Sequence, residues 1–183
     1  MKSIILIGPR CVGKTSVGKE LADILNVEFV DGDDIFKARH GNITYFVEHN
    51  GWEKFREWES KIITNITQKY KDSQIVLAPG GGAVASEYDN YREVNVEALK
   101  GFGKMIYLLP DNNMNVNAAI LAERVHKHPE SRPPLKYTDG KVLDMQSVLE
   151  YRHPLYLAAA DNEVVYTEGD SIRTTAKNIS ELI

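Results

Sequence analysis

The sequence predicts a three-layer α/β domain in which helices cover both faces of a central parallel sheet of five strands. Three observations point there. Short runs rich in Ile and Val alternate with longer stretches of helical pattern, as in strands joined by crossover helices. The first run leads within one step into "GPRCVGKTS", Gly8 to Ser16, a glycine-rich turn lying between a strand and a helix. The chain has 183 residues, 43% of them hydrophobic, which suits one domain with a sizeable core and is short for two. Residues 1–183 are therefore read as a single domain.

In chain order, the strands are Ile4 to Ile7, Val27 to Val30, Gln74 to Ala78, Lys104 to Leu109 and Glu163 to Thr167. Each is a short, largely apolar run of the kind parallel sheets bury. Helices are expected over Lys14 to Leu25, Trp52 to Tyr70, Tyr88 to Leu99, Asn113 to His126, Leu143 to Ala160 and Ile172 to Ile183. Between Lys127 and Lys141, "KHPESRPPLKYTDGK" carries three prolines, a glycine and several charges, the composition of a mobile surface loop or lid.

Bulk properties exclude several classes. A net charge of -4 with signs interspersed leaves no electrostatic footprint for nucleic acid. The apolar runs fall far short of a membrane span, and the N-terminal stretch lacks the features of a signal peptide. Cys11 is the only cysteine, so no internal disulfide forms. The expectation is a cytoplasmic monomer with a small-molecule substrate and with no nucleic-acid or membrane partner.

Gly8, Gly13, Lys14 and Thr15 reproduce the phosphate-loop spacing. Successive backbone N–H groups, here through Cys11, Val12, Gly13 and Ser16, and the positive end of the next helix surround a polyphosphate. Lys14 adds a point charge, and the Thr15 hydroxyl suits Mg²⁺, which prefers oxygen ligands. A nucleotide, ATP or GTP, is the expected ligand. Arg10 adds charge near the phosphates or faces solvent.

A second substrate needs its own groups. "VDGDD" places Asp31 and Asp33 alternately along an extended chain after the second strand, where ligands gather in parallel sheets. Such a turn also caps helices, a role open to Asp33 or Asp34. Arg56 and Glu59 in "FREWE" share a helix face at a spacing of three. Gly80, Gly81 and Gly82 follow the third strand and let backbone approach a ligand. Arg152 in "RHPLY" lies one turn before Tyr156; singly it reads as a surface residue, as His126, His128 and His153 do. Trp52 and Trp58 read as packing residues.

With these motifs in order, and with Arg-Pro-x-Leu at Arg132 to Leu135, the chain resembles the shikimate kinase family over nearly its whole length. The resemblance implies a P-loop kinase fold of the nucleoside-monophosphate-kinase type with a mobile lid. It implies transfer of the ATP γ-phosphate to the 3-hydroxyl of shikimate, with Mg²⁺, in chorismate and aromatic amino-acid biosynthesis. Asp33 would bind and orient or deprotonate the hydroxyl, and Asp31 would help hold Mg²⁺ beside Thr15. Arg56 and Arg152 would grip the carboxylate, Glu59 would hold Arg56, and Gly81, flanked by Gly80 and Gly82 in the substrate site, would give a backbone N–H to the substrate. Arg132 would close over the phosphates with Lys14, and Arg124 would lie against the adenine. The chain departs from the family's small phosphate-loop residues at Arg10, Cys11 and Val12, and "TEGDSI" offers no match for its adenine loop.

Other readings are a kinase of another small hydroxy acid such as gluconate, a nucleoside-monophosphate kinase, and a non-catalytic nucleotide-binding regulatory domain. The triple glycine with Arg56 and Arg152 weighs against gluconate. Asp33 beside a second phosphate would be repulsive, and no residue needed for catalysis is lost.

Overall fold

The computed structural model describes residues 2–127 and 144–183. All five expected strands form, in the order β2-β3-β1-β4-β5, and every neighbouring pair is parallel. β1 (Ser3–Ile7) is central, between β3 (Ile75–Ala78) and β4 (Gly103–Leu109), with β2 (Glu28–Asp31) and β5 (Val164–Tyr166) at the edges. In register, Ile5 stands beside Leu77 on one side and Met105 on the other. β1 and β3 are buried at every position, so both faces need apolar side chains and Ile4 to Ile7 reads as an unbroken run.

The pleat divides that run between two cores. Ile5 and Ile7 pack with Leu77, Tyr107 and side chains of α3 (Ile43–Lys69), α4 (Asp89–Phe102) and α6 (Met145–Ala159). Ile4 and Leu6 pack with Val76, Ile106 and side chains of α1 (Lys14–Leu25), α5 (Met114–Lys127) and α7 (Ile172–Glu181). The result is the expected three-layer sandwich. The chain runs from β1 out to β2, back to β3, then across β1 to β4. That reversal opens a crevice at the carboxyl ends of β1 and β3, the place where open α/β sheets bind ligands.

Residues 32–51 differ from expectation. Gly32–His40 is a helix, α2, and α3 begins at Ile43 rather than Trp52, passing through a kink at Gly51 with φ 81° and ψ 165°. Asn42 caps α3 by accepting from the Tyr45 N–H at 3.1 Å. Tertiary packing holds the pair together: the Phe36 ring lies 4.8 Å from that of Phe55 and 5.0 Å from that of Phe46. The cap of α2 is Asp31, which accepts from the Asp33 N–H at 2.9 Å, not Asp33 or Asp34. Asp33 thus sits in a first helical turn rather than in extended chain. Arg132 and all but the first residue of the Lys127 to Lys141 segment lie outside the described residues.

Candidate active site

The phosphate loop leaves β1 through two glycines whose backbone conformations disfavour any other residue. Gly8 has φ +140° and a Cβ there would stand 2.6 Å from the Leu108 carbonyl oxygen; Gly13 has φ +107°. Both backbone angles lie where L side chains are strained. Val12 turns inward and is 1% exposed within the core, so the loop contributes its backbone there. α1 starts at Lys14 with no side-chain cap, leaving its first N–H groups to meet an anion. Lys14 is buried and donates from Nζ to the carbonyls of Gly8 at 2.8 Å and Pro9 at 2.7 Å. Thr15 Oγ1 donates to Asp31 Oδ2 at 2.8 Å, joining the loop to the end of β2. These groups, with Cys11, Ser16, Asp33 and Gly80, line a cleft of about 400 Å³.

The acceptor half is built by α3 and α6. Arg56, 3% exposed, donates from Nη1 to Glu59 Oε2 at 2.8 Å, and Glu59 is 5% exposed. Burial makes this pair unlike an ordinary i,i+3 surface contact, since removing one partner would strand a charge in a dry site. Arg56 Nε has no partner among the described residues. Its guanidinium carbon lies 5.2 Å from the ring centres of both Trp52 and Phe55, so Trp52 faces a cation as well as the core. Arg152 is also buried, not on the surface, and its Nη2 stands 3.7 Å from Glu87 Oε2. Both arginines border a narrow cavity of about 20 Å³ with Arg10, Trp52 and Gly82.

Two of the three glycines after β3, Gly80 and Gly82, are explained by what surrounds them. Gly80 has φ +125°, and a Cβ on it would stand 2.7 Å from Glu59 Oε1 and 3.5 Å from Asp33 Oδ1. A Cβ on Gly82 would stand 2.5 Å from Arg56 Nη1. Gly81 accepts a hydrogen bond at its carbonyl from the Tyr156 hydroxyl, which is buried. Burial pushes the Tyr156 phenol above its ordinary value, keeping it protonated and a donor.

Arg124 was legible as a nucleotide-site residue, but its contacts, and those of His153, were not. Arg124, on α5, reaches back to the loop with Nη1 3.4 Å from the Cys11 carbonyl and Nη2 paired to Glu168 at 3.0 Å. Glu168 lies in the stretch after β5 that offered no motif. His153 is part-buried, not solvated, with Nδ1 3.1 Å from the Tyr107 hydroxyl; burial lowers its pKa.

A family model described as "Shikimate kinase" matches residues 10–183. The chain belongs to the shikimate kinase family. Shikimate kinase of Francisella tularensis subsp. holarctica is 32% identical over 183 residues, covering 100% of this chain and 94% of that protein. The Halorhodospira halophila shikimate kinase is 33% identical over 181 residues, with 98% and 92% covered. Among solved structures, shikimate kinase from Acinetobacter baumannii in complex with shikimate superposes with TM-score 0.81 at 27% identity, covering 100% of this chain and 92% of that one. A gluconokinase from Sinorhizobium meliloti, at 19% identity and TM-score 0.52 over 99% of this chain and 93% of that one, shares the fold alone. Of the residues that carry the resemblance, Gly13, Lys14, Thr15, Asp31, Asp33 and Gly80 line the cleft, and Arg56, Gly81, Gly82 and Arg152 border the arginine cavity.

Proposed function

We propose that the chain transfers the γ-phosphoryl group of ATP to the 3-hydroxyl of shikimate. The observation that carries this reading is a pair of buried arginines, Arg56 and Arg152, on one cavity with a residue of the phosphate loop. A desolvated guanidinium with an orphan Nε calls for a planar anion, and a carboxylate matches its fork. Shikimate brings one carboxylate to that end and hydroxyls to the other.

Lys14 exchanges its two carbonyl partners for phosphate oxygens, which neutralises charge on the donor. Thr15 and Asp31 provide adjoining hard oxygens suited to Mg²⁺. Among the described residues no group of three or more His, Cys, Asp or Glu side chains could hold a metal. The remaining ligands would therefore come from phosphate and water. When bound, the cation neutralises the phosphates and lowers the charge barrier to transfer. Asp33 orients the acceptor hydroxyl and takes its proton as the oxygen bonds to phosphorus and the bond to ADP breaks. Arg124 flanks the adenine, and Arg132 supplies the lid cation. No helix among the described residues is long and apolar enough to cross a membrane; we place the enzyme in the cytoplasm as a monomer.

A coupled assay of ADP release with ATP, Mg²⁺ and a panel of hydroxy acids tests the reading. Turnover of shikimate is expected. Turnover of gluconate with none of shikimate would reject it, and tight ATP binding without any turnover would mark a regulatory domain.

A further inference from the structure

We propose that Arg10 is a catalytic cation of the transfer step, touching the phosphoryl group as it passes from nucleotide to acceptor. Among the described residues it alone borders both the nucleotide cleft and the arginine cavity. A charge on that boundary lies where the migrating group must cross. The inference rests on the kinase reading above, and names a residue that reading leaves without a role.

The balance of charge favours the boundary over either pocket. In the acceptor cavity Arg56 faces Glu59 at 2.8 Å and Arg152 faces Glu87 at 3.7 Å. In the cleft, Lys14, Lys37 and Arg124 share the lining with Asp31, Asp33 and Asp34, so, Arg10 aside, the donor side has no surplus of cations. In the transition state the phosphoryl group spreads its charge over three equatorial oxygens, between these two neighbourhoods. A preorganised donor at that point stabilises the transition state more than either ground state. The loop's backbone makes the anion nest, so a long side chain at this position extends the site without disturbing it. Arginine suits the place because its fork can span two oxygens and does not lose its proton. The new bond joins the acceptor oxygen to phosphorus, the bond to the ADP oxygen breaks, and the hydroxyl proton goes to Asp33. Arg10 stays protonated throughout.

The test compares wild type with Arg10→Ala and Arg10→Lys in the shikimate assay, together with equilibrium binding of ATP. Arg10→Ala should lower kcat about 100-fold, while the KM for shikimate and the ATP dissociation constant stay within about threefold. Added guanidinium ion should restore part of the Arg10→Ala rate and do nothing for wild type, a response that a folding defect would not give. Arg10→Lys should recover only a small part of the rate. A kcat within about twofold of wild type, or a raised KM with kcat intact, overturns the inference while shikimate turnover by wild type stands. A wild-type chain inert with shikimate overturns the substrate reading and this inference with it.

Discussion

Adding one methyl group at Gly82 should damage acceptor binding and leave the nucleotide half untouched. A Cβ there would stand 2.5 Å from both Cζ and Nη1 of Arg56, well inside the 3.4–4 Å of ordinary contact. The guanidinium has nowhere to retreat, being 3% exposed and tied to Glu59 at 2.8 Å. Overpacking of this kind costs about 1–3 kcal/mol, which in a chain of this size lowers Tm by about 2–4 °C per kcal/mol. Displacing the fork removes a charge-assisted hydrogen bond to the acceptor worth about 1.5–3 kcal/mol, or roughly 10- to 100-fold in the KM for shikimate at 1.4 kcal/mol per decade. Steady-state kinetics on Gly82→Ala with each substrate varied, beside a thermal melt, reads both quantities. An unchanged KM for shikimate together with an unchanged melt would refute the packing argument. A matching rise in the KM for ATP would show that the damage is general.

Asp33→Asn should lower kcat by about 100-fold or more through loss of the proton acceptor, with ATP affinity nearly unchanged; equal losses in both would make Asp33 a structural residue. Tyr156→Phe removes the donor to the Gly81 carbonyl and should destabilise by about 1–3 kcal/mol as a buried acceptor loses its partner, which denaturant unfolding would measure; an unaltered midpoint contradicts it. His153 has its pKa lowered from 6.5 by burial, so below that value the unfolded chain binds the proton more readily than the folded one. Stability is therefore whole above about pH 6.5 and declines as the pH falls. His153→Gln should flatten the melting temperature between about pH 5 and 7; curves that stay parallel would deny His153 this role.

The sheet and the phosphate loop were legible because their signals are local. An Ile-rich run buried on both faces looks the same wherever it sits, and the spacing of Gly8, Gly13 and Lys14 is set by one turn. The helix over Gly32–His40 was not legible, because its glycine start and few apolar positions resemble a loop until Phe36, Phe46 and Phe55 meet. Arg152 and His153 looked solvated since their burial depends on what α6 covers. The glycine triplet was visible as a motif, but its reason was not. The obstacle at Gly82 is a guanidinium from another element, and sequence carries no record of that distance. The link from Arg124 to Glu168 was hidden for the same reason.

Lys14 is buried and bonded to the carbonyls of its own loop. The folded chain has therefore already dehydrated this ammonium and ordered the segment around it before any nucleotide arrives. Part of the entropy and solvation cost of binding is thereby moved into folding, where it lowers the intrinsic stability of the protein. Heat resistance and nucleotide affinity then draw on one free-energy reserve. Substitutions that relax the loop should make a sturdier protein that binds more weakly, and saturating nucleotide should return the lost stability to the native fold.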